Sequence, residues 1–243
     1  MALQETMTAQ GNWLFRWRSF VPLPVYFFAL FLAMGMPTPD QVGGFWRHWW
    51  LVCLAISLLG LLMRILVAGF VPEGTSGRNT KAQVAQQLNT TGFYSLVRNP
   101  LYTGNFILSL GPVLYPRDWL FAGLYVAIFY FYYERIIFAE EAFLRDKFKK
   151  KYLDWAARTP MLIPRLSGWE GPALTFSLRK TIRREMPTFG AMMLSFFLLV
   201  WFQGWRITGT INQDQAWLYA LIVVMVLYAL ETILHRTTRL LDN

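Results

Sequence analysis

The chain has 243 residues, of which 55% are hydrophobic and only 15% are charged, against roughly 25% charged residues in a typical soluble domain. This composition excludes an ordinary water-soluble enzyme. The excess of 23 Lys and Arg over 14 Asp and Glu therefore favours contact with an anionic membrane surface rather than with nucleic acid. The single cysteine, Cys53, excludes an intramolecular disulfide.

The apolar runs of the sequence predict membrane-spanning helices, each of which needs about 20 mostly apolar residues. A shorter run, 101–115, is joined to the next one through Pro116-Arg117-Asp118, and the pair is predicted to form a helical hairpin. We therefore predict an all-α integral membrane protein with about six transmembrane helices, at residues 20–36, 49–71, 101–115, 119–138, 187–205 and 217–234.

The placement of cations predicts the orientation of these helices. With both termini in the cytoplasm, the inside segments hold nineteen Lys and Arg residues and the outside loops hold three. An odd number of spans would put one terminus on the wrong side, so this ratio favours six. The basic stretch 174–186 alternates apolar and cationic residues, and we expect it to lie on the anionic inner surface.

Polar groups at membrane depth usually have a functional reason, and Arg64 lies within the second predicted span. It either reaches the interface or faces the bundle interior and binds an anion. Asn99-Pro100 suits a helix start, with Asn99 as the N-cap and Arg98 beside it. Such a start favours an anionic group, although a capped helix explains the same residues. His48 and His235 have no partners at metal-ligand spacing, so no metal site is predicted.

Two spaced motifs resemble the membrane methyltransferases of the isoprenylcysteine carboxyl methyltransferase superfamily. The sequence RNPLYTGN is followed about 40 residues later by EEAFLRDKFKKKYLDWAARTPMLIP. The matching positions are Arg98, Pro100, Tyr102, Gly104, Glu140, Glu141, Leu144, Phe148, Tyr152, Arg158, Pro160, Ile163 and Pro164. The chain departs from the motif at Asn99, where the family usually has histidine, and an amide cannot act as a general base.

The resemblance implies an S-adenosylmethionine-dependent enzyme with a cytoplasmic cofactor-binding region. It divides the chain into N-terminal helices and a loop (1–91), a methyltransferase core (92–166), and an amphipathic segment with C-terminal helices (167–243). The implied cofactor-binding residues are Val97, Asn99, Pro100, Tyr102, Gly104, Glu140, Leu162, Ile163 and Pro164. The predicted catalytic residues are Arg98, Glu141 and Arg64, and the predicted substrate-binding residues are Arg78, Lys81 and Arg135.

The acceptor is expected to be an anionic lipid head group, because an oxyanion needs no base to attack a methyl group. The loop 74–81 looks similar to the bacterial branch that methylates the phosphate of lipid A, which favours lipid A 1-phosphate and a bacterial inner membrane. A prenylcysteine carboxylate or another phospholipid is the alternative acceptor. A sterol-type reductase that uses NADPH and a non-enzymatic lipid-binding protein also remain open, and a transporter is disfavoured. The sequence does not indicate an oligomeric state.

Overall fold

The computed structural model describes residues 2–20, 23–37, 43–72, 83, 85–209 and 215–237. These residues form α-helices, short 3-10 turns and loops, and no strand occurs among them, which confirms the all-α prediction. The helices are α1 (Leu3–Trp17), α2 (Leu23–Met34), α3 (Trp49–Phe70), α4 (Pro100–Leu114), α5 (Trp119–Ala156), α6 (Leu178–Thr208) and α7 (Gln215–Thr237).

Four of the described helical segments are long and apolar enough to cross a membrane. They are Gly44–Phe70, Trp119–Ala156, Leu178–Arg206 and Gln215–Leu234. The other two predicted spans correspond to α2, with 12 residues, and α4, with 15 residues. At 1.5 Å per residue these helices are shorter than a hydrocarbon layer of about 30 Å. The count of six spans therefore stays a prediction.

The predicted hairpin is present as α4 and α5. Its turn contains Arg117 with a φ of 56°, and the Asp118 side chain caps α5 by accepting a hydrogen bond from the Phe121 amide at 2.9 Å. Helix α5 spans 38 residues with a kink at Lys149, whose φ is 48°, and the part before the kink is about 45 Å long. This length exceeds the hydrocarbon layer, so the charged half of α5 extends beyond the apolar half.

Small residues bring α3 and α4 into close contact. A Cβ atom added to Gly60 would lie 2.2 Å from the Leu108 amide nitrogen, and one added to Gly111 would lie 2.1 Å from Ser57 Oγ. The Ser57 hydroxyl also donates to the Leu108 carbonyl at 2.7 Å. Close approach through glycine and serine is typical of helix pairs in membranes, and it fixes the position of α4 and its N-terminal residues.

The predicted surface segment 174–186 is largely incorporated in α6. The helix begins at Leu178, after the Ser177 side chain accepts a hydrogen bond from the Lys180 amide. Lys180 and Glu185 are buried and point towards the bundle, whereas Leu178 is 62% exposed. Residues 178–186 are thus continuous with the apolar part of α6, and the location of this stretch on the inner membrane surface stays a prediction.

Candidate functional site

The two motif segments lie against each other in the structure. The Arg98 amide donates to the Pro160 carbonyl at 2.8 Å, and the Arg165 amide donates to the Leu96 carbonyl at 3.1 Å. These bonds run between the segment that precedes α4 and the segment that follows α5. Sequence positions more than 60 residues apart are thus joined by backbone hydrogen bonds at one end of the hairpin.

Side chains of α4 strengthen this junction. Asn99 Nδ2 donates to the Met161 carbonyl at 3.1 Å, and Thr103 Oγ1 donates to the Leu162 carbonyl at 2.7 Å. Pro100 occupies the first turn of α4 and Asn99 the N-cap position, as predicted. The Asn99 side chain makes no capping hydrogen bond, because its amide is turned towards the closing segment.

Arg98 binds a carboxylate of its own chain. Its Nε donates to Glu141 Oε1 at 2.8 Å, and its Nη2 lies 3.4 Å from Glu141 Oε2. Its Nη1 donates to the Ala156 carbonyl at 2.9 Å and to the Thr159 carbonyl at 2.8 Å. The arginine therefore fixes the turn that ends α5, a task that suits the planar fork of donors on guanidinium.

Glu140 lies beside this arginine–glutamate pair and bonds to the hairpin partner. The Tyr102 hydroxyl donates to Glu140 Oε2 at 2.9 Å, and the ring of Tyr102 packs on Tyr133 with centroids 4.5 Å apart. Asn105 Nδ2 in turn donates to the Tyr133 hydroxyl at 3.2 Å. The structure thus groups Tyr102 and Glu140, both predicted to bind the cofactor, in one hydrogen-bonded unit.

Arg64 faces the bundle interior, where it binds a carboxylate from α6. Its Nε and Nη2 donate to the two Glu185 oxygens at 2.8 and 3.1 Å, and its Nη1 contacts Asn105 Oδ1. Nη2 also lies 3.4 Å from Thr188 Oγ1. The predicted anion at Arg64 is therefore a protein side chain, and the network joins α3, α4 and α6.

The close approach of α3 and α4 beside Arg64 also accounts for the glycine at position 104. A Cβ atom at Gly104 would lie 2.8 Å from Arg64 Cγ and 3.3 Å from the Gly60 carbonyl oxygen. Its lack of a side chain lets α4 approach α3 next to the arginine. A cofactor contact for Gly104 stays a prediction.

The remaining predicted residues are distributed around the junction. Val97 is fully buried, Ile163 is 82% exposed, and Pro164 is partly buried. Arg135 pairs with the adjacent Glu134 at 3.0 Å, with both side chains about one-third exposed. Arg78 and Lys81 lie outside the described residues, so their predicted role in substrate binding stays a prediction.

Two contributors to this region were not among the predicted residues. Glu185 sits within a basic run, and nothing local in the sequence indicates its partner 121 residues away. Helix α1 packs on α5, where a Cβ atom at Gly11 would lie 2.0 Å from the Arg135 carbonyl oxygen. The one available signal was the placement of Gly11 in the middle of an otherwise helix-compatible segment.

Comparison with known proteins agrees with the motif reading. Residues 45–151 match a family described as phospholipid methyltransferase. No solved structure gives a significant match.

Three curated proteins are similar to about half of the chain. The chain is 30% identical over 127 residues to protein-S-isoprenylcysteine O-methyltransferase B of Arabidopsis thaliana, and this match covers 50% of the chain and 63% of that protein. It is 31% identical over 124 residues to the nickel-cobalt-cadmium resistance protein NccN of Alcaligenes xylosoxydans xylosoxydans, covering 50% and 55%. It is 29% identical over 128 residues to the cobalt-zinc-cadmium resistance protein CzcN of Cupriavidus metallidurans, covering 52% and 56%.

These matches span less than two thirds of the length of each relative. The family match and the plant relative nevertheless confirm the resemblance to the isoprenylcysteine carboxyl methyltransferase superfamily.

Proposed function

We propose that this chain, whose residues 45–151 match a family described as phospholipid methyltransferase, is an S-adenosylmethionine-dependent enzyme that methylates the anionic head group of a membrane lipid. The observation that supports it is the junction of the two motif segments, with the Tyr102–Glu140 pair beside it. The cation pattern predicts that this junction faces the cytoplasm, where the methyl donor is available.

The residues at the junction fit the proposed cofactor. Glu140 offers a carboxylate for an ammonium group or ribose hydroxyls, and the neighbouring Tyr102 orients that carboxylate. The exposed Ile163 and the partly buried Leu162 offer apolar surface for a purine ring. When bound, S-adenosylmethionine supplies a methyl group on a positively charged sulfur. The protein must then hold the acceptor oxygen in line with that methyl group and exclude water.

We propose positioning roles for the three residues predicted to be catalytic. Arg98 and Glu141 hold the end of α5 against the start of α4, which shapes the cofactor-binding surface. Arg64 of α3 binds Glu185 of α6 and Asn105 of α4, and so holds α6 beside these helices. An anionic acceptor requires no base, which is consistent with Asn99 in place of the family histidine. The reaction then depends on orientation and on charge placement around the acceptor.

Lipid A 1-phosphate in a bacterial inner membrane is the acceptor that we put first, on the resemblance of loop 74–81. A prenylcysteine carboxylate is the second candidate, because the Arabidopsis relative is named for that reaction. Two other relatives are named for metal resistance. In the described part of this chain no group of three or more His, Cys, Asp or Glu side chains could hold a metal ion, so we do not propose a metal-binding function.

The test is transfer of radiolabelled methyl from S-adenosylmethionine by the purified full-length protein. The acceptors are a Gram-negative lipid extract, the same extract after removal of the lipid A 1-phosphate, and an S-farnesylcysteine analogue. Glu140→Gln is the site variant, and Glu134→Gln, six residues earlier on α5 and partly exposed, is the matched control.

We expect label in a lipid A band that disappears when the 1-phosphate is removed. We also expect this label to be lost in Glu140→Gln and retained in Glu134→Gln. Label in the farnesylcysteine product would keep the enzyme class and replace the acceptor. Absence of both methyl transfer and cofactor binding would overturn the proposal and favour the lipid-binding or NADPH-reductase alternative.

A further inference from the structure

The N-terminal helix α1 reaches the candidate site although it lies outside the segment that matches the family. It packs on α5 at Gly11, where an added Cβ atom would lie 2.8 Å from Ala139 Cβ. Ala139 directly precedes Glu140. Near the end of α1, Phe15 is buried in a cluster with Tyr133 and Ile136. The last turn of α1 is therefore held beside the Tyr102–Glu140 pair.

This packing of α1 on α5 places the guanidinium group of Arg18 near the candidate site. Its Cζ atom lies 4.1 Å from the ring centroid of Phe15, the residue that is buried in the cluster. Tyr102 and Tyr132 pack against the same cluster as Phe15, so this contact places the Arg18 charge at the same end of the hairpin. A cation stacked on an aromatic ring is partly pre-oriented for binding an anion.

The hydroxyl group of Tyr132 is a second donor in this region. It is buried, and no group among the described residues forms a hydrogen bond with it. Its ring packs edge-on against Tyr133, with centroids 5.0 Å apart. Met161 and Leu162 of the closing segment pack against the same cluster as Tyr132. Buried hydroxyls in proteins nearly always have a partner, so an unpartnered one at a predicted ligand site indicates a ligand atom.

We propose that Arg18 and Tyr132 form an anion-binding subsite of the candidate site, which receives a carboxylate or phosphate group. A guanidinium and a phenol hydroxyl are both donors, and together they select an anion over a neutral group. The anion is either the carboxylate of the cofactor or the charged head group of the acceptor. This inference rests on the proposed function, because it assigns the subsite to one of that reaction's two ligands.

Balancing the charge of Glu140 is a competing role for Arg18. That role predicts that Arg18→Ala acts only through the charge of Glu140 and that Tyr132→Phe has no effect on binding. The subsite predicts instead that Arg18→Ala and Tyr132→Phe weaken binding of the same ligand. Arg16, an exposed arginine on the same helix, provides the matched control as Arg16→Ala.

The experiment measures binding of S-adenosylmethionine and of decarboxylated S-adenosylmethionine to the purified full-length protein, by calorimetry, for wild type and these variants. If the cofactor carboxylate occupies the subsite, Arg18→Ala and Tyr132→Phe each weaken binding of S-adenosylmethionine, by about tenfold for the arginine. Binding of the decarboxylated compound is then unchanged. If the acceptor occupies it, both affinities stay at wild-type values and the acceptor KM rises by a similar factor.

The proposal is overturned if neither the cofactor affinity nor the acceptor KM responds to Arg18→Ala. It is also overturned if Arg16→Ala has the same effect as Arg18→Ala, or if Tyr132→Phe leaves both the cofactor affinity and the acceptor KM at wild-type values. A wild-type protein that binds no S-adenosylmethionine overturns the proposed function itself. If the wild-type protein binds S-adenosylmethionine and the variants behave like it, only the subsite proposal fails.

Discussion

Replacing Glu185 with glutamine tests the polar network that joins α6 to α3 and α4. Glu185 is 5% exposed, and its partner Arg64 is 16% exposed. Arg64 lies six residues before the end of α3, about 9 Å along the helix axis. Glutamine keeps the shape of glutamate and one acceptor oxygen, so Glu185→Gln chiefly leaves the arginine charge without a counter-charge.

The expected loss of stability is about 3 kcal/mol. Removing one partner of a buried ion pair costs about 3–5 kcal/mol, because the other charge stays buried and uncompensated. Scales for an arginine in the centre of a membrane helix give about 2.5–3.5 kcal/mol, which agrees with the lower part of that range. The retained hydrogen bond of glutamine also favours the lower part. The Arg135–Glu134 pair is about one-third exposed, so Glu134→Gln should cost less than about 1 kcal/mol.

The free energy of unfolding is measured by denaturant titration of the purified protein in mixed micelles, with retention of helix by circular dichroism as the readout. The double variant Arg64→Met with Glu185→Met serves as the second control. It removes both charges together and should recover most of the stability lost in Glu185→Gln. A Glu185→Gln variant no less stable than Glu134→Gln would refute the buried-charge argument. A double variant as unstable as the single one would assign the loss to packing.

The remaining predictions concern the junction and the helix packing. Arg98→Lys should lower methyl transfer at least tenfold and increase proteolysis after α5, because the three donors of an ammonium group cannot reproduce the four contacts of the planar guanidinium; an unaltered rate and cleavage pattern would exclude a positioning role. Tyr102→Phe should weaken cofactor binding several-fold in calorimetry, because it removes the donor to Glu140; unchanged affinity would remove that pair from the cofactor site. Gly60→Ala should lower the free energy of unfolding by about 1–3 kcal/mol through collision with an α4 backbone nitrogen, whereas Gly123→Ala, with open space around it, should raise it by up to about 1 kcal/mol. Equal effects of the two alanines would contradict the close packing of α3 and α4.

Features set by local chemistry were predictable from the sequence. The hairpin followed from two apolar runs around Pro116-Arg117-Asp118, and the structure places α4 and α5 on either side of that turn. The start of α4 followed from Pro100, whose fixed φ suits the first turn of a helix. The matching motifs indicated which segments meet, but their actual hydrogen bonds became visible only in three dimensions.

Features set by contacts between distant segments were not predictable from one sequence. The stretch 178–186 has the periodicity of a surface helix, and periodicity does not tell which side of a helix faces protein and which faces lipid. In a membrane the apolar side faces outward, so the exposed Leu178 and the buried Lys180 and Glu185 reverse the arrangement of a soluble protein. The ion pair between Arg64 of α3 and Glu185 shows which side of this stretch faces the bundle.

The same reasoning limits what the sequence says about Arg64 and Arg98, which were predicted to be catalytic. A guanidinium at membrane depth or beside a helix start indicates that an anion is nearby, but not whether that anion belongs to the protein or to a ligand. In this chain Arg64 and Arg98 each bind an internal carboxylate, Glu185 and Glu141. A basic residue therefore becomes a ligand candidate when donors from separate elements converge and one of them has no internal partner. Among the described residues Arg18 and Tyr132 combine these features, which is why the N-terminal helix is the more informative place to mutate.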